Sequence, residues 1–500
     1  MFICSFYIGL SLKSDIFSMK EAIIQSLLGN VNEDHIGQVA LKLQNELTQA
    51  VAKESSLSML ANHHIEPLGL EQGDYVVVDV GGSTLRVSIV LLNTSSNGRT
   101  GFEVLINQAW AVRDSCKKMD KGFFQWVGQK LNEVLDKPEA KRLLEARVDK
   151  GIDLGLSWSF PLDQTHYNRG RILHVGKGFE VGSDVEGKDL NEILTGIMKE
   201  DHNININVDC IINDSLAVYA ASGFLHPSTV LGCVLGTGLN ICVPLKTALY
   251  PESKSMGQGH HYSLFNSEAS LFGSSFIEPY VSQVLDPHID DRFGRIGELT
   301  FELFMDRDVD GRIFQPLELL TSGRYLQELT RLAIVQLHSQ GQLLTNIEDM
   351  TNLEDPSQRY EGFPGALVCF INENDDIEVI REQLVQVFGW EKTSISVSDV
   401  TTIKEIVDSI IKRGAFVVAV VVVAFVGLLY DNDNLRGSQV LTMGYVGLVL
   451  HHYNKYRLLI LKHVNDNVAH YGVSVKFEYI ENSTLIGTAV SAAYFKNIKK

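Results

Sequence analysis

Two stretches of the sequence share one pattern, an apolar strand that ends in a glycine-rich turn and returns as a second strand. The first is Tyr75–Val80, followed by Gly81-Gly82 and then Leu85–Leu92. The second runs from VLGCVL through Gly236-Thr-Gly into ICVPL. Strand-forming runs separated by a tight glycine turn predict a hairpin. Two such hairpins facing each other across a cleft could hold a polyphosphate from both sides, although each one alone is equally compatible with a plain β-hairpin.

The glycines of these turns lack a Cβ atom, so their backbone N–H groups can approach phosphate oxygens closely. Ser83 and Thr84 add hydroxyl donors to the first turn, and Thr237 adds one to the second. Asp79 ends a strand and can hold the water shell of Mg²⁺, which takes few protein carboxylates. The sequence has no G-x-x-x-x-G-K-[ST] motif and no complete G-x-G-x-x-G motif, which argues against P-loop and Rossmann sites.

The composition describes an acidic globular protein of more than one domain. The 500 residues include 43 Lys and Arg against 61 Asp and Glu, a net charge of −18, with 45% hydrophobic residues. A general nucleic-acid binder needs clustered basic residues to neutralise phosphates, so this charge argues against that class. It does not exclude a nucleotide, because a few backbone amides and one helix end can hold phosphates.

The cysteines and the apolar stretches favour a soluble, reduced, cytoplasmic protein. No pair of cysteines has the C-x-x-C spacing, which argues against zinc and against a disulfide framework. Met1–Leu12 is apolar but lacks the basic start and the cleavage site of a signal peptide. Ala415–Tyr430 is shorter than the roughly 20 apolar residues of a membrane-spanning helix, and we interpret it as buried core. The six cysteines are Cys4, Cys116, Cys210, Cys233, Cys242 and Cys369.

The remaining hydrophobic pattern mixes helices with strands, which indicates the α/β class. Helices are predicted over Lys20–Leu60, Gly122–Leu135, Ser215–Gly223, most of Leu264–Gln340, Ile403–Tyr430, Val446–Val464 and Leu485–Phe495. Further strands are predicted over Glu103–Val112, Ile152–Trp158, Val208–Ile212, Val230–Leu235, Gln439–Met443 and Val473–Ile480.

Polar residues follow several of these strands, where loops commonly carry functional groups. Asn213-Asp214 ends the apolar strand CII and opens a helix, so Asp214 is either a functional carboxylate or a helix N-cap. The other candidate functional residues are Ser159 and Pro161 after GLSW, Lys177 in a loop, Asn266 and Glu268, and Glu318. Each of these residues also has an ordinary interpretation as a surface or helix-capping residue.

Taken in order, these motifs resemble one family. They are DVGGSTLRV, SFPLDQ, GKGF, VEGKD, IINDS, LGTGLN, NSEASLFG and LTSGRYLQEL. The chain resembles the hexokinase family of the actin-like ATPase superfamily over roughly Asp74–Arg331, and more loosely to the C-terminus. DQTHYNRGRILHVGKGF, INDSLAVYAA and TSGRYLQELTRL resemble more closely the versions in fungal N-acetylglucosamine kinases.

The resemblance implies an α/β, two-lobed actin-like (RNase H-like) hexokinase fold with a deep cleft between the lobes. It implies an N-terminal helical part of the large lobe over residues 15–70 and a small lobe over 71–212. The large lobe is then expected over 213–480, and a C-terminal helix over 481–500 is expected to return to the small lobe.

The resemblance also implies roles for individual residues, with ATP and Mg²⁺ as cofactors. Asp214 is the expected catalytic base for the sugar 6-hydroxyl, and Lys177 is the second expected catalytic residue. Sugar contacts are expected from Ser159, Pro161, Gly176, Asn213, Asn240, Glu268 and Glu318. Nucleotide contacts are expected from Asp79, Gly81, Gly82, Ser83, Thr84, Arg86, Gly236, Thr237, Gly238 and Gly444, with Asp79 holding Mg²⁺ through water.

The implied activity is an ATP-dependent transfer of phosphate to the 6-hydroxyl of N-acetylglucosamine, in amino-sugar catabolism, with neither a nucleic acid nor a membrane as partner. A glucose or broad-specificity hexokinase of glycolysis and a catalytically weak sugar sensor remain alternatives. The sequence departs from the family at three places. The late acidic-Gly-Ser pattern is Met443-Gly-Tyr, the terminal glycine-rich turn is Asn482-Ser-Thr-Leu-Ile-Gly, and Asn352–Trp390 does not match the family pattern.

The loop before Lys177 gives a prediction about specificity. Val175 and Gly176 stand where glucose-preferring relatives carry a Trp-Thr pair, so space beside the sugar is expected for an N-acetyl group. Burying its methyl group is expected to favour N-acetylglucosamine roughly 10–200-fold in kcat/KM over glucose. A Val175→Trp, Gly176→Thr double variant is expected to reduce this ratio. A wild-type preference for glucose would reject the prediction, and an unchanged ratio in the double variant would locate the specificity pocket elsewhere.

Overall fold

The computed structural model describes residues 19–53, 58–94, 100–113, 117–144, 150–160, 162–173, 179–247, 250–251, 261–282, 285–289, 315–435 and 437–498. The strands are β1 Leu60–Asn62, β2 Gly73–Val80, β3 Thr84–Thr94, β4 Thr100–Ala111, β5 Lys118–Met119, β6 Ile152–Trp158, β7 Leu162–His166, β8 Arg169–Ile172, β9 Glu180–Val181, β10 Ile206–Ile212, β11 Thr229–Leu235, β12 Leu239–Lys246, β13 Tyr262–Asn266, β14 Val440–Val446 and β15 Ser474–Tyr479. The α-helices are α1 Met19–Leu28, α2 Ile36–Ala52, α3 Lys121–Leu135, α4 Pro138–Leu144, α5 Leu190–His202, α6 Asp214–Leu225, α7 Pro316–Thr321, α8 Gly323–Ser339, α9 Thr351–Glu354, α10 Gly365–Glu373, α11 Ile377–Phe388, α12 Val397–Asp431, α13 Leu448–His452, α14 Asn454–Val468 and α15 Ser483–Ile498.

One sheet has five strands in the order β10-β6-β2-β3-β4. Strands β2, β3 and β4 are antiparallel neighbours, whereas β6 and β10 run parallel to β2. The valines of β2 are buried on both faces, as expected for a central strand. Helices α3 and α5 pack beside each other and bury the side chains of their apolar faces in the same core as one face of this sheet.

The other sheet has six strands in the order β1-β13-β12-β11-β14-β15. Strands β11 and β12 form an antiparallel hairpin, and β14 and β15 run parallel to β11. Both hairpins predicted around the glycine turns are therefore present, the first in the five-stranded sheet and the second here.

Helix α12 is the central helix of the core around the six-stranded sheet. It spans 35 residues and begins with a capping box between Ser396 and Asp399. Every residue from Arg413 to Leu429 is buried, which confirms the interpretation of this stretch as buried core. Among the described residues it is the one helix long and apolar enough to cross a membrane, but 89% of its most apolar window is buried inside the protein.

Helices α6 and α15 join the two sheets. Helix α6 packs on β11 and β14 of the six-stranded sheet, whereas α15 packs on β2, β6 and β10 of the five-stranded sheet. The two helices also pack against each other, and their alanine-rich faces form a core that includes the second face of β2 and β3. The approach is close at Gly487, where an added Cβ atom would lie 1.9 Å from the carbonyl oxygen of Ala217.

Several details differ from the sequence predictions. Residues 264–266, at the start of a region predicted to be mostly helical, belong to strand β13, which pairs with β12 on one side and β1 on the other. The pattern of so short a buried segment does not distinguish a strand from a helix, and pairing with neighbours decided the outcome. The helix predicted over Lys20–Leu60 is divided into α1 and α2, and Leu60 begins β1. The helix predicted over Val446–Val464 is divided into α13 and α14, which meet at Tyr453.

The contact between α6 and α15 gives a prediction about stability. Gly487→Ala places a methyl group against the Ala217 backbone, so the helices must move apart, and the free energy of unfolding is expected to fall by about 1–3 kcal/mol. The control is Gly196→Ala in α5, where an added Cβ atom meets nothing within 4 Å and alanine is expected to stabilise the helix by about 0.5–1 kcal/mol. Urea denaturation measures both. Equal effects at the two glycines would contradict the prediction.

Candidate active site

Asp79 lies at the carboxyl end of β2, beside the first glycine turn. It is 6% exposed, and its Oδ2 atom is 3.4 Å from Nη1 of Arg86, its register partner on β3. The turn is closed by the Gly81 N–H, which donates to the Thr84 carbonyl at 3.0 Å. Gly82 is half-buried and Ser83 is exposed, so the tip of the turn faces solvent.

Ser159 lies next to this hairpin. Strand β6 runs parallel to β2, and the Ser159 N–H donates to the Val80 carbonyl at 3.1 Å. The side chain of Ser159 is half-buried at the end of β6. The structure therefore brings Ser159 to the same edge of the sheet as Asp79.

The charge of Asp79 is strongly influenced by its surroundings. Burial raises the pKa of Asp79 from 3.8 to about 6, while the Ser157 hydroxyl and the Arg86 guanidinium oppose this rise. The negative charge of Asp214 raises the pKa further, so the two carboxylates lie close enough to interact. A nearby cation would favour the ionised form of Asp79.

Asp214 opens α6 directly after the Asn213 N-cap. The Asn213 Oδ1 atom accepts a hydrogen bond from the Ser215 N–H at 2.9 Å, and Asp214 Oδ1 lies 2.7 Å from the same nitrogen. Because Asn213 is the residue that caps the helix, Asp214 is not required for that purpose. Its carboxylate is half-buried and lies at the junction between β10 and α6.

A network of amides and one carboxylate extends from Ser215 across β12 and β13. The Asn240 Nδ2 atom donates to Asn266 Oδ1 at 2.7 Å, and Asn266 Nδ2 donates to Glu268 Oε1 at 2.8 Å. Ser215 Oγ lies 3.2 Å from Asn266 Oδ1. Glu268 has a φ of 49°, a left-handed conformation that costs free energy in a residue other than glycine and is often found at functional sites.

The second glycine turn contacts two other elements, α8 and α7. The Gly236 carbonyl accepts a hydrogen bond from the Gly323 N–H of α8 at 2.9 Å. An added Cβ atom on Gly238 would lie 2.8 Å from Oε2 of Glu318, so this carboxylate of α7 reaches the turn. Thr237 is exposed at the tip of the turn.

Gly447, after β14, is a residue that the sequence analysis did not select. Its φ is 119°, and an added Cβ atom would lie 2.0 Å from the Leu235 carbonyl oxygen, so only glycine fits against the second hairpin. Gly444, the predicted nucleotide contact, lies inside β14 instead, where an added Cβ atom would meet the side chain of Ser222. The sequence signal that could have identified Gly447 is its place as a second glycine directly after the apolar strand LTMGYV.

The predicted site residues Pro161, Gly176 and Lys177 lie outside the described residues. Among the described residues, no group of three or more His, Cys, Asp and Glu side chains could hold a metal ion. Mg²⁺ takes few protein carboxylates and fills the rest of its coordination with water and phosphate oxygens. Asp79, a buried carboxylate beside the first glycine turn, fits such a role.

The structure thus places Asp79, the first glycine turn and Asp214 at one sheet edge, and links Asp214 through Ser215 to the amide–carboxylate network. The second glycine turn is bordered by Gly323, Glu318 and Gly447. Oriented amides and carboxylates of this kind can bind the hydroxyl groups of a sugar, and the turns can receive phosphate oxygens. A carboxylate at Asp214 has the chemistry of a general base toward a hydroxyl group.

The raised pKa of Asp79 gives a prediction about stability and pH. Because the pKa is about 6 in the folded state and 3.8 for the free side chain, folding is expected to become less favourable as the pH rises from about 4 to 6. Asp79→Asn removes this titration. The free energy of unfolding of Asp79→Asn minus that of wild type is measured by urea denaturation at each pH. This difference is expected to rise by about 2–3 kcal/mol between pH 4 and 6 and to stay constant above that range. A difference that does not change with pH would contradict the prediction.

Comparisons with known proteins identify the family of the chain. Two hexokinase family models match the chain, over residues 25–224 and residues 230–494. The chain is 38% identical over 485 residues to N-acetylglucosamine kinase 1 of Candida albicans. The aligned residues cover 96% of this chain and 94% of that protein. The chain is 25% identical over 329 residues to hexokinase-2 of Saccharomyces cerevisiae, covering 63% of this chain and 59% of that protein.

A solved structure shows the fold. A hexokinase from Schistosoma mansoni complexed with glucose superimposes with a TM-score of 0.74 at 18% sequence identity, covering 95% of this chain and 100% of that chain. The architecture is accordingly the two-lobed, actin-like α/β fold expected from the sequence motifs. Together with the two family models and the nearly full-length relative, it establishes that this chain belongs to the hexokinase family.

Proposed function

We propose that this protein is an ATP-dependent sugar kinase that phosphorylates the 6-hydroxyl of N-acetylglucosamine. The observation that carries the proposal is the placement of Asp214, two residues after β10, at the same sheet edge as Asp79 and the first glycine turn, because β10, β6 and β2 are parallel neighbours. A base for the acceptor hydroxyl and a turn for the donor phosphates thus share one edge of the sheet. The relative named N-acetylglucosamine kinase supports the choice of sugar.

In the proposed reaction, Asp214 accepts the proton of the sugar 6-hydroxyl as the hydroxyl oxygen attacks the γ-phosphorus of ATP. The bond from that phosphorus to the β–γ bridging oxygen breaks, and ADP leaves. A positioned carboxylate contributes about 10²–10⁴-fold as a general base. Most of the remaining catalysis in phosphoryl transfer comes from alignment and charge neutralisation. Lys177, whose loop is known from sequence alone, is proposed to supply a cation near the transferred group.

The sugar is proposed to bind to groups that the fold already holds in place. The amide–carboxylate network of Asn240, Asn266 and Glu268 fixes its members before the sugar arrives, so little ordering is needed on binding. The proposed sugar-binding residues are Ser159, Pro161, Gly176, Asn213, Asn240, Glu268 and Glu318.

The nucleotide is proposed to bind between the two glycine turns. Gly81, Gly82, Ser83, Thr84 and Arg86 would serve the first turn, and Gly236, Thr237 and Gly238 the second. Mg²⁺ would neutralise phosphate charge when bound, and Asp79 would hold its water ligands. To these groups we add Gly447, because its contact with the second hairpin depends on a glycine.

The cytoplasm is the proposed location. The acidic charge of −18 and cysteines without C-x-x-C spacing support it, as does the burial of the apolar helix α12. Subcellular fractionation tests this proposal, and recovery of the protein in a carbonate-resistant membrane pellet would overturn it.

Replacing the proposed base gives a prediction about catalysis. Asp214→Asn keeps the size of the side chain but removes the base, so kcat is expected to fall roughly 10²–10⁴-fold. The dissociation constant of N-acetylglucosamine is expected to change little, because the base acts mainly as the proton leaves. A coupled assay with ATP and Mg²⁺ measures kcat, and calorimetry measures sugar binding.

The matched control is Asp201→Asn, the same substitution at an exposed carboxylate on α5, which is expected to leave kcat unchanged. Wild-type kcat in Asp214→Asn would contradict the role of Asp214. Testing N-acetylglucosamine and glucose in the same assay also separates the proposed activity from a general hexokinase, and no turnover of either sugar would favour a sensor.

A further inference from the structure

The first turn of α8 forms one wall of the second glycine turn. The Gly323 N–H donates to the Gly236 carbonyl at 2.9 Å, so the next residue, Arg324, begins beside the proposed phosphate site. Ser322 is the N-cap of α8, but its side chain makes no capping hydrogen bond. Its Oγ atom is buried and has no hydrogen-bond partner in the described part of the chain. The N-terminal turn of this 17-residue helix therefore has an unused hydrogen-bonding group.

Arg324 is an exposed cation with a fixed orientation. Its Cζ atom lies 4.1 Å from the centre of the Tyr360 ring, a distance typical of a cation–π contact. No carboxylate of the described residues forms an ion pair with it. An arginine held on a ring and left without an anionic partner is prepared to bind an anion, since its planar group loses less freedom on binding.

Tyr360 is itself firmly held. Its N–H donates to Glu328 Oε2 at 2.8 Å, and its hydroxyl group donates to the Ile289 carbonyl at 3.0 Å. Glu328 is 1% exposed and pairs with Arg331 one turn along α8. Tyr360 has a φ of 68°, a left-handed conformation that persists only where the surrounding contacts determine it.

The segment that carries Tyr360 is attached to α8. Asn352–Trp390 lies within residues 230–494, which a hexokinase family model matches, so the segment belongs to the family's part of the chain. It packs on α8 through Tyr360 and through the Leu353 carbonyl, which accepts a hydrogen bond from Arg331. These contacts link the segment to the helix that begins at the second glycine turn.

We propose that Arg324 binds the phosphate groups of the nucleoside triphosphate and that Tyr360 is the positioning residue that holds Arg324 in place. This inference rests on the proposed function, since it needs a nucleotide at the second glycine turn. A purely structural alternative is that Arg324 covers the Tyr360 ring and touches no ligand.

The test measures binding of a non-hydrolysable ATP analogue by calorimetry, together with KM for ATP. Arg324→Gln is expected to raise the dissociation constant of the analogue roughly tenfold or more, as for the loss of one hydrogen bond to a charged group. Adenosine, which has no phosphate, is expected to bind Arg324→Gln and wild type equally. The affinity for N-acetylglucosamine is also expected to stay unchanged.

Tyr360 is tested through its ring. Tyr360→Leu is expected to weaken binding of the analogue roughly two- to fivefold. The separate variant Tyr360→Phe keeps the ring and is expected to bind the analogue with wild-type affinity. The double variant Arg324→Gln, Tyr360→Leu is expected to bind no more weakly than Arg324→Gln alone, because a positioning residue acts through its partner. The control is Arg359→Gln, since Arg359 lies on the same ring at 5.3 Å but turns toward the backbone carbonyls of His288 and Ile289.

Several results would overturn the proposal. They are unchanged affinity for the analogue in Arg324→Gln, an equal loss of adenosine binding, additive effects in the double variant, or no binding of the analogue by wild type. The proposed function fails separately. If wild type binds the analogue and Arg324→Gln weakens it, but no sugar is phosphorylated, then only the assignment as a sugar kinase is rejected.

Discussion

The contact between α6 and α15 is the constraint on which the rest of the structure depends. Each helix packs on a different sheet, and the Gly487–Ala217 approach brings their backbones together without intervening side chains. Because α6 begins at the end of β10, its first residues lie where the two sheets meet. The parallel order β10-β6-β2 brings Asp214 and the first glycine turn to one edge of the five-stranded sheet. The packing of α6 on β11 and β14, and of α15 on the other sheet, then sets the six-stranded sheet against it.

The site combines groups that would be unfavourable separately. Burial of Asp79 disfavours its charged form, and the nearby charge of Asp214 adds to this effect. A Mg²⁺ ion near Asp79 would favour its ionised form and so oppose this effect, whereas the triphosphate itself brings negative charge. The amide network around Asn266 behaves differently, because its members satisfy one another before a sugar arrives. Binding energy in the first region is electrostatic, whereas the second region supplies orientation.

Much of this arrangement could be predicted from the sequence, because its signals are local. The glycine turns, the strand before Asp214 and the long apolar helix each follow from patterns within a few tens of residues, and the structure has all of them. Gly447 was missed because its role comes from Leu235, which is more than 200 residues away in the chain. Residues 264–266 fell in a region predicted to be mostly helical, because the sequence pattern of so short a segment does not distinguish a strand from a helix. Its pairing with β12, which comes from elsewhere in the chain, is what makes it a strand.

The same distinction between local and distant signals explains the segment Asn352–Trp390. Its sequence is typical of short helices, and α9, α10 and α11 fall within it, but nothing in it predicts a link to the second glycine turn. That link depends on Glu328, which is buried on α8 and bonded both to Arg331 and to the Tyr360 backbone. Losing Arg331 would leave the charge of Glu328 buried and unpaired, and losing the Tyr360 N–H would remove a further hydrogen bond from that carboxylate. The attachment of the segment to α8 is therefore hard to separate from the stability of the helix. A segment anchored in this way can influence the nucleotide side of the site while the residues that contact the sugar stay unchanged.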